Sequence, residues 1–266
     1  MAPRSLAKRS APPTSSNLED FSKELAYAGD RKDLLVRVSR LKPKLGKLLT
    51  GDELELVEVS GRAAKKNLAQ RLSEAIAQKI ANALRREFPG IQPDASGSGH
   101  ESFSKGAGGV KKLDVNYSTK KSGLELAVSV KTINFADDAT GRYTKNVKRV
   151  DGELRAEAQD CHKRQPYAVI AAYLFMPIES AKDGANGKSS AKHAAEVLAA
   201  RSHRKDSSGP HEKVELSFIG LYEDQGTVRF CFPDDVPLNG TPTRAIGFGR
   251  TLELLRKEYQ QRQSEH

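Results

Sequence analysis

A mixed β-sheet packed between helices, an α/β sandwich, is the fold class this sequence predicts, on three observations. A stretch from about Arg62 to Phe88 repeats apolar residues at helical spacing. After a Gly/Ser-rich loop the period drops to two. An almost unbroken apolar run, Tyr167 to Met176, then follows a second amphipathic helix. Runs of helix and strand alternating in this way build layered α/β domains.

Residues 1–17 are rich in Ser, Pro, Ala and basic side chains with no periodic apolar face, and read as a disordered basic tail. Residues 18–61 read as a helical extension. Asn17 is a plausible N-cap ahead of Phe21, Leu25 and Ala28, Leu34 to Leu45 suggest a second helix, and Thr50 and Glu53 have capping-box spacing. Residues 62–266 form the core. Its first helix carries the stripe Leu68, Leu72, Ala75, Ile76, Ile80, Ala83 and Leu84, and Pro89-Gly90 end it. Glu74 falls opposite that stripe, which predicts a surface position. The loop from Ala95 to Gly109 reads as a connector or hairpin and lacks the Gly-Lys-Ser/Thr ending of a P-loop.

Leu113, Val115 and Tyr117 then alternate with polar residues, as do Leu124, Leu126, Val128 and Val130, predicting two strands with one face buried and one outward. Thr119 to Gly123 would turn one into the other. A helix over about Asn146–Gln165 buries Val147, Val150, Leu154, Ala158 and Cys161, with His162 as a helix-end cation. The run from Tyr167 reads as a central strand buried on both faces. Residues 178–213 read as a polar insertion with a short helix. Strands Val214–Tyr222 and Thr227–Phe232 and a helix over about Arg250–Gln261 complete the chain.

The net charge of +10 favours polyanionic partners, because neutralising phosphates releases counterions. Two cysteines outside any ligand spacing fit a reducing cytoplasm, and six scattered histidines argue against a zinc site. The longest apolar run is too short to span a bilayer, so no membrane is expected.

Phosphodiester hydrolysis needs a hard cation, carboxylates to hold it, and profits from a lysine beside the attacking water. Asp114 lies on the polar side of the first strand. Ser129 and Lys131, two residues apart, lie on the polar side of the second. The run LDVNYSTKKSGLELAVSVKT resembles the PD-(D/E)xK nuclease motif, shared by most type II restriction endonucleases. In that resemblance Asp114 matches the metal-binding aspartate and Lys131 the motif lysine. Leu113 replaces the loosely kept proline, and Ser129 stands where an Asp or Glu is usual.

A subgroup of restriction endonucleases resembles this chain in having Ser-x-Lys, with the acid supplied from the following helix. The resemblance therefore implies a restriction-endonuclease-like fold, with Asp114, Ser129, Lys131 and Glu153 as the catalytic set. It also implies Mg²⁺ held by Asp114 with Glu153 or Glu157. Glu153 and Glu157 share one flank of the helix and Asp151 lies on the other. Lys145, Asn146 and Arg149, at its start, are the candidate DNA contacts. Glu125 shares the polar face of Lys131 but lies too far along the strand to share a metal with it.

The residues and the resemblance together predict a Mg²⁺-dependent endonuclease on double-stranded DNA, a type II restriction enzyme acting as a homodimer or higher homo-oligomer. A repair or structure-specific nuclease is the enzymatic alternative, since fold does not fix substrate. A non-catalytic nucleic-acid-binding protein is the other; low aromatic content with no Trp argues against a stacking-based binder of single strands.

Overall fold

The computed structural model describes residues 11–28, 62–99, 102–106, 109–185, 187–223 and 226–264. Helices α1 (Ser22–Ala28) and α2 (Arg62–Leu84) precede a two-stranded antiparallel ribbon, β1 (Ser102–Gly106) with β2 (Gly109–Leu113). A five-stranded sheet comes next, in the order β3 (Val115–Thr119), β4 (Gly123–Thr132), β5 (Val169–Pro177), β6 (Leu216–Tyr222), β7 (Val228–Cys231). Helix α3 (Val147–Arg164) links β4 to β5, α4 (Ser190–Ala200) links β5 to β6, and α5 (Phe248–Ser264) comes last. The two outer strand pairs are antiparallel and the two inner pairs parallel, so the sheet is mixed.

Parallel neighbours cannot be joined by a tight turn; each needs a long crossover, usually a helix. Helices α3 and α4 are those crossovers. Residues 178–213 are therefore no insertion: Ala191, Ala194, Ala195 and Leu198 are buried against the same sheet face as α3. The opposite face packs on α1, α2 and α5 and is aromatic, with Phe21, Tyr173, Phe175, Phe218, Phe230 and Phe248 buried together.

Phe21 comes from the segment expected to lie apart from this core. Its ring meets Phe248 edge-on at 5.1 Å and lies 5.8 Å from Phe230. Lys79 of α2, itself buried, donates to the carbonyls of Asn17 and Asp20 and sits 3.4 Å from Glu24. Residues 11–17 thus dock on the body instead of forming a tail, because α2 offers their backbone a buried donor. Residues 1–10 and the helices expected beyond Gly29 lie outside the described residues. Asp20, not Asn17, caps α1, accepting from Ser22 N–H at 2.9 Å. Truncating Phe21 to Ala is expected to cost about 3–5 kcal/mol, read as a lower denaturation midpoint in urea at unchanged slope.

Two further departures reach the site. Strand β4 is buried on both faces except at its ends, because β3 and β5 flank it and helices cover both sides. The expected outward-facing strand is an interior one. Pairing also skips a residue: Tyr117 faces Leu126 and Ser118 faces Leu124. Glu125 is the bulged residue, and a bulge shifts which face the following residues occupy. Hence Glu125 meets Tyr259 of α5 and Thr119, accepting from both hydroxyls, and does not share the face of Lys131.

Candidate active site

Asp114 is the hinge between ribbon and sheet. Leu113 enters the core under α3 and Val115 the core under α2, so the chain changes face between them. Strand β3 begins at Val115, paired with Val128, and among the described residues no strand lies beside the last residues of β4 on that edge. Val130 would leave its amide and carbonyl orphaned there. Side chains take both: Asp114 Oδ2 accepts from Val130 N–H at 2.7 Å, and Ser73 Oγ of α2 donates to the Val130 carbonyl at 3.0 Å.

Because β3 stops short, α2 and α3, on opposite faces of the sheet, approach across the gap. They wall a cleft of about 220 Å³ whose floor is Asp114, Val130, Lys131 and Thr132. Gln70, Ser73 and Glu74 form one wall, Arg149 and Glu153 the other.

Strand alternation turns Ser129 and Lys131 toward α3, and helical spacing puts Arg149, Glu153 and Glu157 on one row facing them. Lys131 Nζ donates to Glu157 Oε1 at 2.6 Å and lies 3.6 Å from Glu153 Oε2. Ser129 Oγ donates to the other oxygen of Glu157 at 2.6 Å. Arg149 Nη1 contacts Glu153 Oε1 at 2.6 Å. The Lys131 side chain is 14% exposed. Burial pushes its ammonium down, but Glu157, Asp114 and Glu153 outweigh that and hold it above the ordinary lysine value. It is charged at any pH near neutrality.

The chain matches no family model, no curated protein and no solved structure. Its chemistry rests on its own residues.

The structure brings Asp114, Ser129, Lys131, Glu153 and Glu157 to one place. Glu157 holds both Ser129 and Lys131, whereas the sequence placed Glu153 first. Asp151 is turned away, its carboxylate on Arg201 at 2.6 Å. Arg149 lines the cleft and is 57% exposed. Lys145 pairs with Asp137 at 3.0 Å outside the cleft walls, and Asn146 occupies the N-cap of α3, exposed. Glu74, expected on the surface, lines the cleft with Gln70, which donates to it at 3.0 Å. The cleft lies along the flank of α2 rather than beneath its apolar stripe. Ser73 and Glu74 were missed for the same reason; the one signal was a polar row, Gln70, Ser73 and Glu74, beside the stripe.

Among the described residues no three His, Cys, Asp or Glu side chains are arranged to hold a metal by themselves. The acids around Lys131 nevertheless fit a hard divalent cation. They are carboxylates only, with no soft or imidazole donor among them, and Mg²⁺ takes one or two carboxylates while keeping several waters. Also among the described residues, no helix is long and apolar enough to cross a membrane.

Proposed function

We propose that the protein is a Mg²⁺-dependent endonuclease of the PD-(D/E)xK kind, acting on double-stranded DNA with a restriction-endonuclease-like core. One observation carries the reading: a semi-buried lysine held among three carboxylates, Asp114, Glu153 and Glu157, at the open edge of a sheet. A purely structural ion pair would need one carboxylate, and an exposed one would contribute little to stability.

In this reading Asp114 with Glu157 or Glu153 would hold the cation, which would supply charge stabilisation at the phosphate and favour ionisation of the attacking water. Lys131 orients that water with its ammonium and offsets the charge that develops on the phosphate oxygens. Arg149, exposed at the cleft wall, takes a DNA phosphate in the fork of its guanidinium. Ser129 positions Glu157. The basic surplus of +10 draws the duplex in, with affinity falling as salt rises. Cutting both strands calls for two such sites, hence a homodimer or larger homo-oligomer. A site-specific restriction enzyme would cut at few positions; a repair nuclease would not.

The test is incubation of the protein with unmethylated plasmid and phage DNA in Mg²⁺ or EDTA. Discrete fragments that need Mg²⁺ support the restriction reading, and smeared products support the repair alternative. Intact DNA on several substrates, despite tight binding, overturns catalysis. Asp114→Asn is expected to abolish cleavage while leaving the fold in place. Its amide oxygen still accepts from Val130 N–H, so only the charge is lost.

A further inference from the structure

We propose that Lys131 and Arg149 are internal counter-cations, so that a divalent ion enters the cleft by displacing Lys131 from Glu157, and DNA assists by drawing Arg149 from Glu153. This rests on the nuclease reading, since it takes Asp114 with Glu157 or Glu153 as the anchors.

The acids are already occupied. Glu157 has Lys131 on Oε1 and Ser129 on Oε2, each at 2.6 Å. Glu153 has Arg149 on Oε1 at 2.6 Å and Lys131 near Oε2 at 3.6 Å. Asp114 Oδ2 accepts the Val130 amide. A hard cation binds through carboxylate oxygens, and here the oxygens of both helix acids carry a protein cation or donor. Two positive side chains therefore stand among three carboxylates, and a dication competes with charges the protein supplies itself.

The two counter-cations differ in how firmly they are held. Lys131 is 14% exposed and gains little from water, so displacing it is the larger obstacle to the ion. Arg149 is 57% exposed, in contact with solvent, and its guanidinium suits a phosphate at least as well as a carboxylate. DNA therefore releases Glu153 and raises affinity for the divalent ion, and by linkage the ion raises affinity for DNA. The result is a site whose affinity for the ion rises when substrate is bound, without any moving lid.

Lys131→Met keeps the length and apolar stem of the side chain and removes its charge. Mn²⁺ binding to the full chain without DNA, followed by calorimetry or by the loss of the free-ion paramagnetic resonance signal, reads the competition directly. Lys131→Met is expected to bind Mn²⁺ on the order of tenfold more tightly than the unaltered protein. Arg149→Met is expected to gain by a smaller factor, and Asp114→Asn added to Lys131→Met should erase the gain. Circular dichroism and melting of each variant confirm the fold. Mn²⁺ binding that Asp114→Asn weakens but Lys131→Met leaves unchanged overturns the counter-cation role alone. No Mn²⁺ binding by any of them overturns both this inference and the nuclease reading.

Discussion

Replacing Lys131 with Ala is expected to slow DNA cleavage by at least about a thousandfold, with DNA retained in gel-shift assays. The ammonium touches Glu157 and lies 3.6 Å from Glu153, the acids proposed to hold the cation, and it sits in a cleft of about 220 Å³ where water screens it poorly. On the proposed nuclease reading, removing it would take away both the orientation of the attacking water and compensation of charge on the phosphate. Affinity for the duplex depends instead on many exposed basic groups, of which this partly buried lysine is not one. Lys131→Arg should rescue little, because a planar guanidinium cannot replace a compact ammonium 2.6 Å from Glu157. Single-turnover cleavage beside gel-shift titration separates the two effects. Equal loss in both assays would make Lys131 a binding residue instead.

A stability effect as large as that at Phe21 is expected at Glu215, far from the cleft. Its side chain is fully buried between Arg204 and Arg262, whose Nη1 atoms each donate to Oε1 at 2.9 Å. The other oxygen accepts from Ile170 N–H at 2.8 Å and faces His162 Nε2 at 3.4 Å. One carboxylate thus compensates two buried guanidiniums and fastens α3, β5, β6 and α5 together. Glu215→Ala leaves both arginines without it and is expected to cost about 3–5 kcal/mol, lowering the urea midpoint or the soluble yield. Burial alone would raise its carboxyl; His162, the Ile170 amide and Arg204 outweigh that and depress it below the ordinary glutamate value. A depressed folded value means the stabilisation is complete above the unfolded value and is lost as pH falls through the folded one. The part of the stability that Glu215 contributes should therefore be lost in acid, as pH falls through its depressed folded value, and Glu215→Gln should flatten that limb of the pH profile.

His162 shows where sequence reasoning stops. Its place at the end of α3 suggested a helix-end cation, yet the ring is buried against Glu215, and His211 supplies a carbonyl 3.1 Å from Nδ1. That partner is nearly fifty residues away, beyond any local pattern. The ends of α3, by contrast, were legible almost to the residue, as were the buried strand β5 and the last two strands. Each is set by spacing within one element. Asp114, Ser129, Lys131 and the helix acids were legible for the same reason, because alternation and helical rows are local. Glu74 and Ser73 were not, since the flank of α2 that meets the cleft depends on where β3 ends. Residues 178–213 look polar by composition, and only the parallel order of β5 and β6 explains why α4 must cross the sheet.

The skipped residue at Glu125 bears on how this protein tolerates change. Ser129 and Lys131 are pinned from the far side of β4, where residues 126–132 run in continuous register with β5. The turn over residues 119–123 lies beyond the bulge, so a residue gained or lost there can be absorbed by redrawing the mismatch. Strand β4 would keep its seat and the acid–lysine spacing would survive. The hairpin is therefore the place where length can drift at little cost to chemistry. The single step from Asp114 to Val115, which pairs with Val128, has no such slack, and an insertion between them would take the aspartate away from the Val130 amide.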